Sequence, residues 1–173
     1  MQSFISRLTT PLTAILLMSL ILLAGCGQSD DQREFEREAF APPNNYTETT
    51  DDRKIVSEDP DDWRVSPFYQ GLLEVDPAYP NPVLTTDQVS IDMLSFDEVV
   101  SNIEVISYFA EDNTIIRVIP RSDNVRIDLG TTISMQPSQM SRTDLTDDIE
   151  GLKRIIILDN DGNVISYGDI KVE

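Results

Sequence analysis

The chain has 173 residues with 31 acidic and 13 basic side chains, no histidine and a single cysteine, for a formal net charge of −18. Charge of that sign repels nucleic acid and anionic lipid heads, which leaves cations and basic surfaces as candidate partners. The missing histidine and second thiol exclude Ser-His-Asp and Cys-His nucleophile systems, the usual transition-metal ligand sets and any disulfide framework.

The first segment carries one basic side chain, Arg7, then an apolar core from Leu12 to Leu23, then Ala24 and Gly25 before Cys26. This three-part layout is that of an export signal, and its apolar core is shorter than the ~20 residues a membrane-spanning helix needs. Leu23, Ala24, Gly25 and Cys26 resemble the lipobox of bacterial lipoproteins. The resemblance implies that residues 1–25 are a signal peptide removed before Cys26, and that Cys26 is acylated and holds the chain to the lipid bilayer. Two or three acyl chains make such attachment effectively permanent. Gly27 stands where, in enteric lipoproteins, an aspartate marks retention in the inner membrane, so the same resemblance implies the outer membrane.

Residues 26–62 are dense in charge and proline and nearly empty of large aliphatics, which predicts a disordered acidic tether. Asp31 to Phe40 is predicted to form no more than a transient turn, because isolated helices that short are marginal. A flexible chain of this length spans roughly 35 Å, enough to lift a domain clear of the headgroups.

The folded domain is placed at residues 63–173. Leu72 to Val75 reads as an edge strand stopped by Pro77, Pro80 and Pro82. Period-two alternation then marks strands around Val89 to Met93, Ile103 to Ser107, Ile115 to Ile119, Val125 to Leu129 and Ile133 to Met135. Arg154 to Leu158 and Val164 to Val172 close the chain. About seven or eight short strands with turn residues between them predict an all-β fold, an antiparallel immunoglobulin-like β-sandwich. Ser95 with Glu98, and Leu145 with Ile149 and Leu152, predict single helical turns crossing between sheets.

No arrangement of residues marks an active site, and the expectation is a non-enzymatic protein with no cofactor and no metal. Asp159, Asp161 and Asn163 alternate as calcium ligands do. Counted from Asp159, however, Gly162 is fourth and Ile170 twelfth, where an EF-hand needs glycine at six and glutamate at twelve. A hairpin turn using Gly162 accounts for the run without metal. Adjacent acids such as Asp61 with Asp62 and Asp147 with Asp148 lack the separated, buried geometry of glycosidase pairs. Trp63, Phe68, Tyr69 and Tyr79 cluster near the domain entrance and form the candidate contact surface, for an envelope protein or, alternatively, as part of a calcium- or glycan-binding surface; packing in the core is the commoner fate of such residues.

Ala78-Tyr-Pro-Asn-Pro-Val83, the alternating strands and the ending GLKRIIILDNDGNVISYGDIKVE resemble the immunoglobulin-like C-terminal domains of Bacteroidetes-type envelope and secreted proteins. Many of those serve as type IX sorting signals. Here Gly151-Leu152-Lys153 stands where the family tends to show glycine and tyrosine, and the chain carries its own lipid-anchor motif, so the resemblance implies the fold and no activity.

Overall fold

The computed structural model describes residues 30–96, 100–143 and 145–173. Cys26 and the signal segment lie outside the described residues, as does Glu98 of the predicted capping box. A helix, α1 (Asp30–Ala39), leads into β1 (Glu48–Thr49), β2 (Ile55–Ser57), β3 (Leu73–Val75), β4 (Val89–Ser95), β5 (Val100–Ser101) and β6 (Glu104–Phe109). Then follow β7 (Thr114–Ile119), β8 (Arg126–Ile127), β9 (Thr131–Met135), a single helical turn α2 (Thr146–Ile149), β10 (Gly151–Leu158) and β11 (Val164–Val172). Strands dominate and every ladder is antiparallel, which is the all-β class read from the sequence.

A four-stranded sheet in the order β11-β10-β6-β7 and a three-stranded sheet in the order β3-β4-β9 both contribute to one core. From the smaller sheet come Val75, Val89, Ile91, Met93, Ile133 and Met135, and from the larger Val105, Ile155, Ile157, Ile165 and Ile170. The alternation in β4 is the one its sequence shows, with Val89, Ile91 and Met93 buried and Ser90 and Asp92 partly exposed. β3 lies at the edge of its sheet, as its prolines require.

β10 breaks the alternation, because Ile155, Ile156, Ile157 and Leu158 are all buried. Ile155 and Ile157 face the shared core, while Ile156 and Leu158 join Ile106, Tyr108, Val164 and Tyr167 on the opposite face. That second face is covered by α1, which lays Phe35 and Ala39, one turn apart, against it. The Phe35 and Tyr167 rings meet at 5.0 Å. Asp30 and Asp31 in the first turn and Arg37 in the last complement the helix dipole.

The expected tether is therefore corrected over residues 30–62: the folded body includes them rather than starting at Trp63. Average composition hid two apolar anchors and a set of buried polar ones. Thr47 and Thr49 are buried, and Asn81, fully buried, holds them to the end of the chain. Its Nδ2 donates to the carbonyls of Thr47 (2.9 Å) and Asp169 (3.0 Å), and its Oδ1 accepts from the Lys171 amide (2.9 Å). Its backbone exchanges hydrogen bonds with Thr49. The bend at Tyr79 to Pro82, with cis bonds before both prolines, thus turns one amide inward to join the segment after α1 to β11.

The outer edge of β11 is occupied in this way along most of its length. Ser66 and Trp63 donate to the carbonyls of Ile165 and Tyr167, and Val83 bonds Lys171 and Glu173. Such cover removes the open edge that would otherwise template aggregation.

Phe35→Ala tests the docking of α1. Removing a buried phenyl ring costs about 3–5 kcal/mol, so the urea midpoint should fall in a single transition. A free tether would leave the midpoint unchanged.

Candidate functional site

Asp31, Glu34, Phe35 and Glu38 form one stripe of α1, at spacings that place them on a single face. Opposite runs the segment Arg64–Leu73, and between them lies a groove of about 570 Å³ lined by that stripe and by Arg64, Val65, Pro67, Gln70, Gly71 and Leu73. Its lining mixes apolar residues, Phe35, Val65, Pro67 and Leu73, with polar ones in similar share, and its helix side is acidic. Gly71, at φ +78°, lets the segment double back so that the amides of Leu72 and Leu73 both donate to the Tyr69 carbonyl.

Arg64 spans the groove at one point. Its Nη2 donates to Glu38 Oε2 (2.7 Å) and to the Tyr167 hydroxyl (2.9 Å), with the guanidinium 5.7 Å from the Phe35 ring centre. Among the described residues no ion pair involves Asp31 or Glu34. Among the described residues these two carboxylates therefore line the groove without an ion pair.

The four aromatics expected at the entrance are not gathered into one surface. Trp63 is buried, held at φ +59°, its amide donating to the Tyr167 carbonyl at 2.7 Å. Its indole lies flat on Gly168, where a Cβ would come within 2.2 Å of the ring, so it is a core wedge. Tyr69 is half-buried and donates to Asp159 Oδ2 at 2.7 Å. Phe68 is exposed beside the first turn of α1, its amide donating to Gln32 Oε1 at 3.3 Å. Tyr79 lies apart, donating to Asp92 Oδ1 (3.1 Å) beneath the Arg53 guanidinium. The stripe on α1 and Arg64 were missed, because the helix was read as a passing turn. The signal that would have found them is the run Ile155 to Leu158, whose unbroken apolarity in a hairpin demands cover on both faces.

A second concavity of about 380 Å³ is lined by Arg53, Glu74, Asp76, Asp92 and Thr132 among others. Asp92 is already engaged there by Arg53 (2.7 Å), Thr132 (2.6 Å) and Tyr79. It serves to clasp the β1–β2 hairpin, whose turn holds Arg53 at φ +65°. Asp159 is likewise committed to its turn: Oδ1 accepts the amides of Asp161 and Asn163, and Oδ2 the Asn163 side chain and Tyr69. Burial pushes its carboxyl up, but the bonds from Asn163 and Tyr69 outweigh that and hold it below the ordinary value. The run Leu158 to Val164 is thus the hairpin turn read from the sequence, with Gly162 at φ +88°. Lys153 is buried, and burial pushes its ammonium pKa down; its Nζ donates to the Asp148 carbonyl and lies 5.5 Å from the Phe109 ring centre.

The wall carrying the acidic stripe is fixed from behind. Arg154 Nε and Nη2 grip Asp169 Oδ1 (2.6 Å) and Oδ2 (2.9 Å), and Nη1 donates to the Glu38 carbonyl at 3.0 Å. Asp62 accepts the amides of Thr47 (2.8 Å) and Asp169 (3.0 Å). Burial, then the Asp169 charge, push the Asp62 carboxyl up to about 7 from its ordinary 3.8.

Compared with family models, curated proteins and solved structures, the chain matches none.

The raised Asp62 value fixes the sign of a pH effect. Between about pH 4 and 7 the folded chain holds a proton that the unfolded chain has released, so this contribution is full below 3.8 and lost as pH rises through about 7. Its size is at most about 4 kcal/mol, reduced by the carboxylate's partial exposure. Urea titrations of wild type and Asp62→Asn from pH 4.5 to 8 should show wild type losing stability relative to the variant as pH rises. A constant difference between the two profiles contradicts the assignment.

Proposed function

We propose that this chain is a non-enzymatic envelope lipoprotein, anchored in the outer membrane through acylated Cys26, whose immunoglobulin-like β-sandwich contacts another envelope protein through the groove beside α1. Seven of the strands, in two sheets around one core, make up the sandwich, and the helix in front of it supplies the contact wall. The observation that carries the reading is the face of α1 on which Asp31 and Glu34 line the groove beside Phe35, Val65 and Leu73 with no ion pair among the described residues.

That chemistry selects an occupant that is basic at its edges and apolar in its middle. Burial of apolar surface supplies most of the affinity, at roughly 25 cal/mol per Å² before association costs are deducted. The unpaired carboxylates supply orientation and a faster encounter that falls with salt. A short protein segment with two or three apolar side chains flanked by lysine or arginine meets both demands. The sequence supports the location: an export-signal layout, the small pair Ala24 and Gly25, and the lone cysteine at the seam with the acidic region.

Two measurements test this. Mass spectrometry of the mature amino terminus should find Cys26 first in the chain and acylated; a free thiol there refutes the anchor. A photo-crosslinking residue at Gln70 should capture one envelope protein in intact cells, and Asp31→Lys with Glu34→Lys should abolish that adduct. An adduct that survives the charge reversal refutes the groove as the contact surface.

A further inference from the structure

Four large apolar side chains are exposed at one end of the molecule. Phe68 sits on the first turn of α1 through its amide bond to Gln32. Leu72 follows in the same loop and accepts from the Phe96 amide, and Ser95 donates to the carbonyl of Asp128, the neighbour of Leu129. Leu129 is 86 % exposed, the most open large apolar side chain among the described residues. The backbone bonds set Leu72 beside Phe96 and the Asp128–Leu129 turn beside Ser95, with Phe68 in the loop that leads to Leu72, so the four exposed residues lie at the same end of the body. The β10–β11 hairpin ends there too, tied in by Tyr69 to Asp159. A cluster of this kind on an otherwise acidic surface calls for a covering partner.

The position of α1 says which partner. Its first residue, Asp30, lies four positions after Cys26, and four residues at full extension reach at most about 14 Å. The side chain of Gln32, in that first turn, is what holds Phe68. An acyl chain on Cys26 therefore brings this end of the body, and no other, to the bilayer surface. Leu84, exposed beside the final residues of β11, lies at the far end of a nine-residue strand, some 30 Å away.

We propose that the tip formed by Phe68, Leu72, Phe96 and Leu129 docks into a zwitterionic lipid surface, so that the protein stands on the membrane in a fixed orientation instead of swinging from a leash. The inference rests on the reading that Cys26 is acylated. Aromatic and leucine side chains of this kind settle at the boundary between headgroups and acyl chains. Asp30, Asp31 and Asp128 border the tip, which disfavours anionic headgroups and selects electroneutral ones. One bilayer contact then adds to the acyl chains, and the two act together because the link between them is short.

The test uses the full-length, processed protein with a single introduced cysteine, Leu129→Cys or Leu84→Cys, labelled with a thiol-reactive fluorophore. Acylation consumes Cys26, the only natural cysteine, so the label goes to one site. Both substitutions are at exposed positions and leave the core intact. In vesicles of bromine-labelled phosphatidylcholine, the label at 129 should be quenched several-fold more than the label at 84. Replacing part of the lipid by phosphatidylglycerol should weaken that quenching. Equal quenching at both sites, or quenching at neither while mass spectrometry shows Cys26 acylated, overturns the docking and leaves the anchor standing. An unmodified Cys26 overturns the anchor and the docking with it. Quenching at 129 that disappears on dilution of the protein at constant lipid reveals self-association through the tip and also overturns the proposal.

Discussion

Arg154 is the side chain on which the placement of the amino-terminal third depends. It projects from β10 on the face away from the shared core, grips Asp169 of β11 with two nitrogens, and turns its third to the carbonyls of Glu38 and Ala39 at the end of α1. The guanidinium also lies over the Tyr167 ring. A buried pair of this kind is costly to desolvate and is retained only where further hydrogen bonds satisfy both partners. Here they do: Asp169 Oδ2 accepts the Asn44 amide, and the carbonyls of Glu38 and Ala39 at the helix end accept from the cation that the dipole favours. The same residue pair therefore fixes where the helix ends, where the chain turns after it, and how that turn meets the last strand.

Much of the sheet was legible because strand burial is periodic in the sequence. Val89, Ile91 and Met93 alternate with polar residues, and β4 has the burial they imply. The hairpin at Asp159 to Asn163 followed from turn chemistry, and the edge position of β3 from its prolines. The helix was not legible by the same means. Its ten residues average strongly polar, and only Phe35 and Ala39, with Gln32, are buried. A helix that short is stable only through what it packs against, so its existence is a property of β6, β10 and β11 more than of its own residues. Trp63 is a candidate contact residue by its place among the entrance aromatics, with core packing the commoner fate; it is buried against Gly168, a partner distant in the sequence yet in direct contact.

The buried polar groups explain why a chain so acidic still folds around them. Asp62, Asp169 and Asn81 use their oxygens and nitrogens on backbone groups of Thr47, Asp169, Lys171 and Asn44. These bonds do for the irregular segment after α1 what a ladder does for a strand, because buried amides and carbonyls must find partners. Composition alone counts those residues as solvated charge and assigns the segment to disorder. Apart from the Asp62–Thr47 bond, these partners lie between 34 and 125 residues away in the chain, which is the reason a local reading misses them.

Moving the start of the folded body from residue 63 to residue 30 changes the mechanics of an anchored protein. A leash of some 36 residues would let the domain sample a hemisphere of roughly 35 Å radius and leave its orientation free. If Cys26 is the anchor, as proposed, the four positions before Asp30 allow at most about 14 Å of separation from α1. The groove follows α1 from Asp31 to Glu38, so under the proposed anchor it would begin at the membrane-proximal end and run away from it. Under that proposal, a basic segment entering the groove from the lipid side would be met first by Asp31 and Glu34, the two groove-lining carboxylates that lack ion pairs among the described residues. Such an arrangement favours partners whose basic segment emerges near the bilayer over those that approach from the aqueous side, because only the former reach the acidic rim without first crossing Arg64.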